Sequence, residues 1–395
     1  MKPQRAVVLG SRFGGLAVIS WLRRLFSPGE LEITVIDQWE EMIFRPGLVH
    51  AMDTAPDRLM PPITLSLSSF WKRHKITSLH DTVVDLDPDR RLVSTATHPP
   101  LPYDVLFIAT GGTARWDKIP GLDLSHQGLC EGYLARHTAT LNRRSTEGQF
   151  VFAVGPLQAS PSWTPTVHVG CECPLIESAL LWDAHLRRLN TRESSSITVI
   201  TPASHIAEVG GPVIQARVEE LLAERQIRLI TKAQFVGVTP STINLDRHTI
   251  PYDRAVWVPP MTGAQWLQGS PVADDWGWIP TDEYLNHPQW SDIYAVGDVV
   301  SHAWPKMGHA AMVQARISVH HWHQRQTARR TKLRPFAPQL LWILETGSKH
   351  ALFALSDVFY GGDHQWVYHG QTPYWAKQSF QWAYVHRRGA LPIMP

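Results

Sequence analysis

The chain has 395 residues, of which 44% are hydrophobic and 18% are charged, and its formal net charge is +2 with neutral histidines. This length suits two nucleotide-binding-type domains and a tail rather than one domain, and the nearly balanced charge gives no reason to expect a nucleic-acid partner. Three cysteines are too few for a disulfide scaffold in so long a chain. We expect no signal peptide, because an apolar run starts almost at Met1, and no membrane-spanning helix, because no apolar run reaches about 18 residues.

The amino-terminal segment has the pattern of a strand, a phosphate-binding loop and a helix. The apolar run 5–9 is followed by a glycine-rich turn and then at once by a helix-like segment. Gly10 permits the tight turn, and Gly15 lets the helix pack closely on the strand, with the helix N-terminus facing a pyrophosphate. The middle glycine of the usual G-x-G-x-x-G pattern is Arg12 here, which alters the backbone approach. Taken alone, this motif fits a purely structural glycine turn as well as it fits a nucleotide-binding loop.

Further segments supply the other parts of a flavin-binding domain. A second apolar run, 31–36, ends in Asp37, whose carboxylate can hold a ribose hydroxyl. The buried-strand pattern 103–108 leads into Thr110-Gly111. Far along the chain, the run 292–296 leads into Gly297-Asp298, where the carboxylate can bind a ribityl chain. The helix that starts after Pro305 can then point its N-terminus at an isoalloxazine ring.

The middle of the chain predicts a second domain of the same topology. Its expected elements are strand 149–154, helix 174–187, strand 196–201, helix 213–225 and strand 227–231. Pro-rich sequence follows Gly155, and no second G-x-G-x-x-G precedes the helix, so this half is poorly equipped to hold NADH. We therefore predict an α/β protein with two Rossmann-like domains. The first comprises residues 1–115 and 285–330, the second comprises 116–284, and the tail comprises 331–395.

With these segments in order, the chain resembles the sulfide:quinone oxidoreductases of the flavoprotein disulfide-reductase superfamily, especially archaeal-type members. The matching motifs, which run over essentially the whole chain, are G-S-R-F-G-G at 10–15, F-R-P-G-L at 44–48, Cys130-Glu131, C-E-C-P at 171–174 followed by Glu177, P-P-M-T-G at 259–263, P-K-M-G at 305–308 and Y-G-G at 360–362. The variant loop of that family accounts for Arg12. The resemblance implies an FAD-dependent enzyme that oxidises sulfide at a cysteine site and passes electrons to a membrane quinone.

The pattern and the resemblance together give one set of candidate cofactor-binding residues. They are Gly10, Arg12, Phe13, Gly14, Gly15, Asp37, Arg45, Pro46, Thr110, Gly111, Gly297, Asp298, Lys306 and Gly308. Lys306 could steady the reduced flavin or a quinone headgroup, and a surface lysine at a helix start is the alternative. No spacing of histidine and cysteine indicates a metal site, because Cys171 and Cys173 lack a second pair.

The cysteines Cys130, Cys171 and Cys173 are the candidate catalytic thiols. In the family that the chain resembles, the redox disulfide joins the C-E-G-P cysteine to a late cysteine. Trp342 stands at the position expected for that late cysteine, so the usual disulfide cannot form. The resemblance favours Cys171 with Cys130. A bond between Cys171 and Cys173 stays open, although an i,i+2 disulfide is strained, and so does a set of three reduced, buried side chains.

The sequence also predicts the surroundings of these thiols. Pro174 suits the first helical position, which would make Cys173 the N-cap, and a helix N-terminus lowers a cysteine pKa. Glu177 is a candidate proton relay beside the cysteines, with a structural hydrogen bond as the alternative. His50 and His309 are interpreted as structural rather than catalytic.

The tail predicts a helix that lies in a lipid interface, with aromatic side chains inward and cations at the headgroups. Its mixed residues are Trp375, Trp382, Tyr384, Lys377, Arg387 and Arg388. Packing on the protein's own core or on a partner subunit is the alternative. Because a quinone user needs access to the bilayer, we expect a peripheral membrane protein on the cytoplasmic side, with homo-oligomerisation left open.

Two other functions remain open at this point. A type II NADH:quinone oxidoreductase is the next enzyme candidate, against which stands the missing glycine motif after Gly155. A non-catalytic FAD-binding protein would explain Trp342 directly, and it would bind flavin that neither sulfide, NADH nor quinone turns over.

Overall fold

The computed structural model describes residues 2–144, 146–327 and 332–389. Its α-helices are α1 Phe13–Leu25, α2 Pro56–Leu59, α3 Ser68–His74, α4 Gly132–Asn142, α5 Cys173–Leu189, α6 Pro212–Glu224, α7 Gly308–Gln326 and α8 Gln371–His386. Its strands are β1 Gln4–Leu9, β2 Leu31–Asp37, β3 Glu41–Ile43, β4 Thr64–Ser66, β5 Ile76–His80, β6 Val83–Asp87, β7 Leu92–Thr95, β8 Leu101–Pro102, β9 Val105–Ile108, β10 Thr113–Ala114, β11 Gln127–Gly128, β12 Gly148–Val154, β13 Ser195–Ile200, β14 Arg228–Ile230, β15 Phe235–Val238, β16 Thr242–Leu245, β17 Thr249–Pro251, β18 Arg254–Val258, β19 Met261–Thr262, β20 Ile293–Ala295, β21 Leu340–Gly347, β22 His350–Ser356 and β23 Gln365–Gly370.

The first sheet has the strand order β20-β9-β1-β2-β5, and all its strands are parallel. Strands β9 and β20 bury every side chain, as strands covered on both faces do. Helices α1 and α7 pack against each other. The carboxyl ends of parallel strands meet at one edge, so the loops that begin at Gly10, Ala109 and Val296 lie together although they are far apart in sequence.

The second sheet has the order β11-β18-β12-β13-β14 and is also parallel. Helix α5 packs on β12 and β13, so its N-terminus lies at the carboxyl edge of this sheet. The two parallel sheets confirm the predicted α/β class with two Rossmann-like halves. The domain boundaries stay a prediction, and the one at residues 330 and 331 falls outside the described residues.

The tail contains a sheet that the sequence analysis did not predict. Strands β21, β22 and β23 form an antiparallel sheet, and α8 packs on β22 and β21. The predicted tail helix is present as α8, but two of its residues were misplaced. Lys377 and Tyr384 are buried rather than at a lipid surface, because Lys377 packs against α5 and β21 whereas Tyr384 packs on the rings of Phe13 and Phe44. Residues 390–395 of the predicted tail fall outside the described residues.

Within the described residues, no helix combines the length and the apolar character needed to cross a bilayer.

Candidate flavin and cysteine site

The turn between β1 and α1 depends on two glycines. Gly10 has a φ of +92°, and a Cβ there would lie 2.6 Å from the Ala109 carbonyl oxygen. A Cβ on Gly15 would lie 1.8 Å from the Gly10 carbonyl oxygen. Helix α1 starts directly after this turn, and no described side chain caps it. Its first N–H groups are therefore available to a phosphate.

Arg12 takes part in a cluster of charges that the sequence did not reveal. Its guanidinium donates to Glu131 with an N–O distance of 2.9 Å, and the Arg45 guanidinium also donates to Glu131. Burial raises the pKa of Glu131, and the charge of Arg45 opposes this. The cluster joins the phosphate loop to the segment that carries Cys130. Both arginines were predicted to bind the cofactor, and that role stays a prediction.

Asp37 lies at the carboxyl end of β2, as predicted. One carboxylate oxygen accepts hydrogen bonds from the Ser11 backbone N–H at 2.6 Å and the Ser11 hydroxyl at 2.8 Å. The other accepts the Trp39 backbone N–H at 2.9 Å. Each oxygen has two lone pairs, so one oxygen keeps capacity for a ribose hydroxyl while the first fixes the loop.

The segment after β20 brings the second predicted carboxylate to the same edge. The Gly297 N–H donates to the Gln314 side chain of α7 at 2.6 Å. Burial raises the pKa of Asp298, and the charges of Lys306 and Arg45 oppose this. At the start of α7, a Cβ on Gly308 would lie 3.0 Å from the Phe13 ring.

Lys306 is buried, not at the surface. Its Nζ donates to the Val300 carbonyl at 2.7 Å and to the His302 carbonyl at 3.3 Å. It also lies 4.8 Å from the ring centre of Trp163 and 4.7 Å from that of Trp278. Burial lowers the pKa of Lys306 to about 7, against the charge of Asp298. Neither tryptophan could be predicted from the sequence, because no local pattern connects positions 163 and 278 to Lys306.

These features fit FAD. The turn at Gly10 has no room for a Cβ, and the start of α1 that follows it has no described side-chain cap. This arrangement suits the pyrophosphate. A second helix start, that of α7, likewise has no described side-chain cap, and the Asp298 carboxylate precedes it. Thr110 and Gly111 follow β9 on the same edge. Pro46 lies in the turn of 3₁₀ helix Arg45–Met52.

The three thiols gather beside this edge. Cys130 precedes α4, whereas Cys171 and Cys173 lie at the start of α5, and all three are free. Burial is the main cause of the raised pKa of Cys171, and the negative charges of Asp298 and of ionised Cys130 add to it, so both groups lie within electrostatic range of its sulfur. Burial raises the pKa of Cys130 and the positive charge of Arg45 opposes this rise, so the guanidinium lies within electrostatic range of that thiol.

Two expectations about these thiols were wrong. The N-cap of α5 is Glu172, and Cys173 is already the first helical residue. Burial raises the pKa of Cys130 to about 11 and that of Cys171 to about 12, and it raises the pKa of Cys173 well above its usual value. Loss of hydration outweighs the stabilisation that the helix N-terminus gives a thiolate.

Glu172, between the two cysteines, is itself buried and hydrogen-bonded. Its carboxylate accepts the Glu208 backbone N–H at 2.7 Å and the Thr201 hydroxyl at 3.1 Å. Burial raises the pKa of Glu172 to about 8. No local sequence pattern had indicated a role for this side chain.

Glu177 forms an ion pair with the tail. It accepts a hydrogen bond from Lys377 of α8 and another from the Glu345 backbone N–H at 2.9 Å. Burial raises the pKa of Glu177, and the Lys377 charge opposes this. Trp342 is buried on β21, and its indole N–H has no partner among the described residues.

Comparison with known proteins identifies the family. The profile of the pyridine nucleotide-disulphide oxidoreductases matches residues 4–160 and 166–315. The chain belongs to this family. It is therefore an FAD-binding oxidoreductase, as its sequence predicted.

Individual relatives agree with the resemblance that the sequence motifs indicated. The chain is 24% identical over 323 residues to the mitochondrial sulfide:quinone oxidoreductase of Mus musculus, which covers 79% of this chain and 69% of that protein. It superposes on the sulfide:quinone oxidoreductase of the hyperthermophilic bacterium Aquifex aeolicus with a TM-score of 0.86 and 22% identity, over 98% of this chain and 92% of that one. NDH2 of Plasmodium falciparum, solved with NADH, gives a TM-score of 0.72 and 13% identity over 100% of both chains. At these identities, the structural likeness shows the fold.

Proposed function

We propose that this protein oxidises sulfide, or a related thiol or persulfide, and passes the electrons to a membrane quinone. The observation that carries the proposal is the position of Cys171, within electrostatic range of Cys130 and Asp298 at the edge where the FAD-binding loops meet. A thiol that exchanges sulfur needs such a position beside the electron acceptor. The named relatives that are sulfide:quinone oxidoreductases support it.

The cysteines and Glu131 have separate tasks in this reaction. Cys171 holds the sulfur that is oxidised, and Cys130 or Cys173 is its partner. Glu131, fixed by Arg12 and Arg45, orients the Cys130 segment. For each hydrosulfide ion, one sulfur atom is oxidised by two electrons and one proton is released, and the quinone takes up two electrons and two protons. When bound, FAD supplies two-electron transfer between these half-reactions.

The NADH-oxidising alternative is disfavoured by the loop after β12. A Cβ on Gly155 would lie 2.4 Å from Pro260, so this glycine allows close packing of the chain on itself. The segment after it forms a bridge between Leu157 and Met261 in place of a glycine-rich turn before α5. Little space remains there for the pyrophosphate of a nicotinamide cofactor.

Anaerobic flavin bleaching tests the proposal directly. We expect sulfide to bleach the flavin absorbance of the purified protein rapidly, and added decylubiquinone to restore it. Bleaching by NADH alone would replace the proposal with NADH:quinone oxidoreduction. Bleaching by neither reductant would favour a non-catalytic FAD-binding protein.

We also propose that an aromatic surface formed by β23 and α8 attaches the protein to a bilayer. The surface consists of Trp366, Tyr368, Trp375 and Trp382, whose side chains are 70%, 56%, 53% and 60% exposed, in that order. Exposed aromatic side chains of this size are uncommon on a surface that contacts only water, and tryptophan and tyrosine prefer the membrane–water interface.

Alanine at both Trp375 and Trp382 is expected to weaken binding to liposomes by about tenfold or more, because each change removes a large interfacial side chain. Co-sedimentation with anionic liposomes measures the binding. Trp39, which is 47% exposed and lies outside this surface, provides the control variant Trp39→Ala. Equal loss in the control and the double variant would contradict the assignment of this surface.

A further inference from the structure

A chain of ionisable side chains runs from the start of α5 to the protein surface. Cys173 and Glu177 are four residues apart on one helix face, where side chains are neighbours. Glu177 is paired with Lys377. The Lys377 Nζ then lies 3.5 Å from a Glu345 carboxylate oxygen, and that same oxygen lies 3.4 Å from His50 Nε2.

The outer end of this series of side chains reaches solvent. His50 Nδ1 lies 3.5 Å from Asp53, and Asp53 lies 3.7 Å from Arg188, whose side chain is 61% exposed. The inner members Glu177, Lys377 and Glu345 are all buried. Donors and acceptors alternate along the whole series, which is the order that stepwise proton transfer between neighbours requires.

We propose that this series, which we call the His50 relay (Glu177, Lys377, Glu345, His50 and Asp53), carries protons between the cysteine site and the solvent. The inference rests on the proposed function, in which each hydrosulfide ion releases one proton at the thiols. That proton moves from the sulfur to the Glu177 carboxylate, and a proton leaves Asp53 to water. The His50 imidazolium first donates its Nδ1 proton to Asp53, and rotation of the neutral ring then presents the free nitrogen to Glu345 for the next proton. No redox change occurs in the relay itself.

The surroundings of His50 support this role. Asp53 belongs to the same turn, Glu345 comes from β21 and Lys377 from α8, and Arg188 comes from α5. Besides these, the ionisable neighbours of Asp53 include His185 and Tyr374, each of which feels the Asp53 charge. Two flanking carboxylates raise the pKa of His50 to about 10 despite its burial. The imidazole therefore holds a proton at both nitrogens at neutral pH.

The test compares His50→Gln with His205→Gln in the FAD-loaded protein. His205 is an exposed histidine paired with Glu219 at 3.6 Å, so the control makes the same substitution outside the relay. Glutamine keeps a hydrogen-bonding group but cannot transfer a proton. We expect His50→Gln to slow sulfide-dependent decylubiquinone reduction by about tenfold, less than the ~10²–10⁴ of a group that exchanges protons with substrate itself. Its solvent deuterium isotope effect should rise, and imidazole should partly rescue His50→Ala.

Asp53→Asn provides a second variant if His50→Gln folds poorly, and it should show the same slowing. Wild-type rates and isotope effects in both relay variants would overturn the inference. If the wild-type protein does not oxidise sulfide, the proposed function fails, but the relay can still be tested. The measurement is then the pH dependence of Cys173 alkylation in the variant Cys130→Ser/Cys171→Ser, in which Cys173 is the remaining thiol. The pH midpoint of that alkylation should shift in His50→Gln but not in His205→Gln, and an unchanged midpoint would overturn the relay.

Discussion

Serine at Cys171 is expected to reduce sulfide-dependent quinone reduction by about a thousandfold or more, because the hydroxyl cannot carry the sulfur or exchange electrons as a thiolate does. Burial raises the pKa of this thiol to about 12, and the proposed reaction therefore needs a route for its proton. Anaerobic stopped-flow bleaching by sulfide measures the loss. Flavin content and the visible spectrum should stay unchanged, because Cys171 is not among the residues expected to hold FAD.

The two other thiols provide the matched comparison. If Cys130 is the partner, Cys130→Ser should approach the loss seen in Cys171→Ser while Cys173→Ser keeps most activity. The reverse order would assign the partner role to Cys173, which replaces the glycine of the C-E-G-P motif. Full activity in Cys171→Ser would contradict the proposed cysteine site as a whole, since no late cysteine is available beside Trp342.

Methionine at Lys377 is expected to destabilise the protein by about 3–5 kcal/mol, because it leaves the buried Glu177 carboxylate without its partner. The two residues are 200 positions apart in sequence and join α5 to α8. Burial already raises the pKa of Glu177, and removal of the ammonium group raises it further. Below the ordinary carboxyl pKa, Glu177 is protonated in both states and the loss is small. The loss of stability then grows as the pH rises from the ordinary carboxyl pKa through the raised pKa that Glu177 has in the folded variant.

Denaturant unfolding between pH 4 and pH 8 measures this dependence. The double variant Glu177→Gln/Lys377→Met should recover much of the stability at pH 8, since no unpaired charge remains. Lys349→Met is the control, because that lysine lies over the exposed ring of Trp375 at 5.9 Å and is not in the buried pair. A loss in Lys377→Met that is the same at both ends of the pH range would contradict the charge explanation.

The sequence alone determined the parts of this protein that depend on local chemistry. Gly10 and Gly15 indicated the phosphate loop because glycine permits a tight turn and close packing of a helix on a strand. The apolar run 5–9 indicated a strand, and the run 103–108 indicated a buried strand. The order of these segments and the cysteine motifs indicated the flavoprotein family, which the family match confirmed.

Only the tertiary structure decided what depends on burial and on contacts between distant segments. The pKa values of the thiols rise because the whole fold removes their hydration, an effect larger than the local helix N-terminus that the sequence displayed. Lys377 was expected at a membrane surface, since its neighbours are aromatic, but β21 and α5 enclose it beside Glu177. Pairing across 200 residues leaves no local pattern, because each partner alone resembles an ordinary surface charge until the packed core surrounds both.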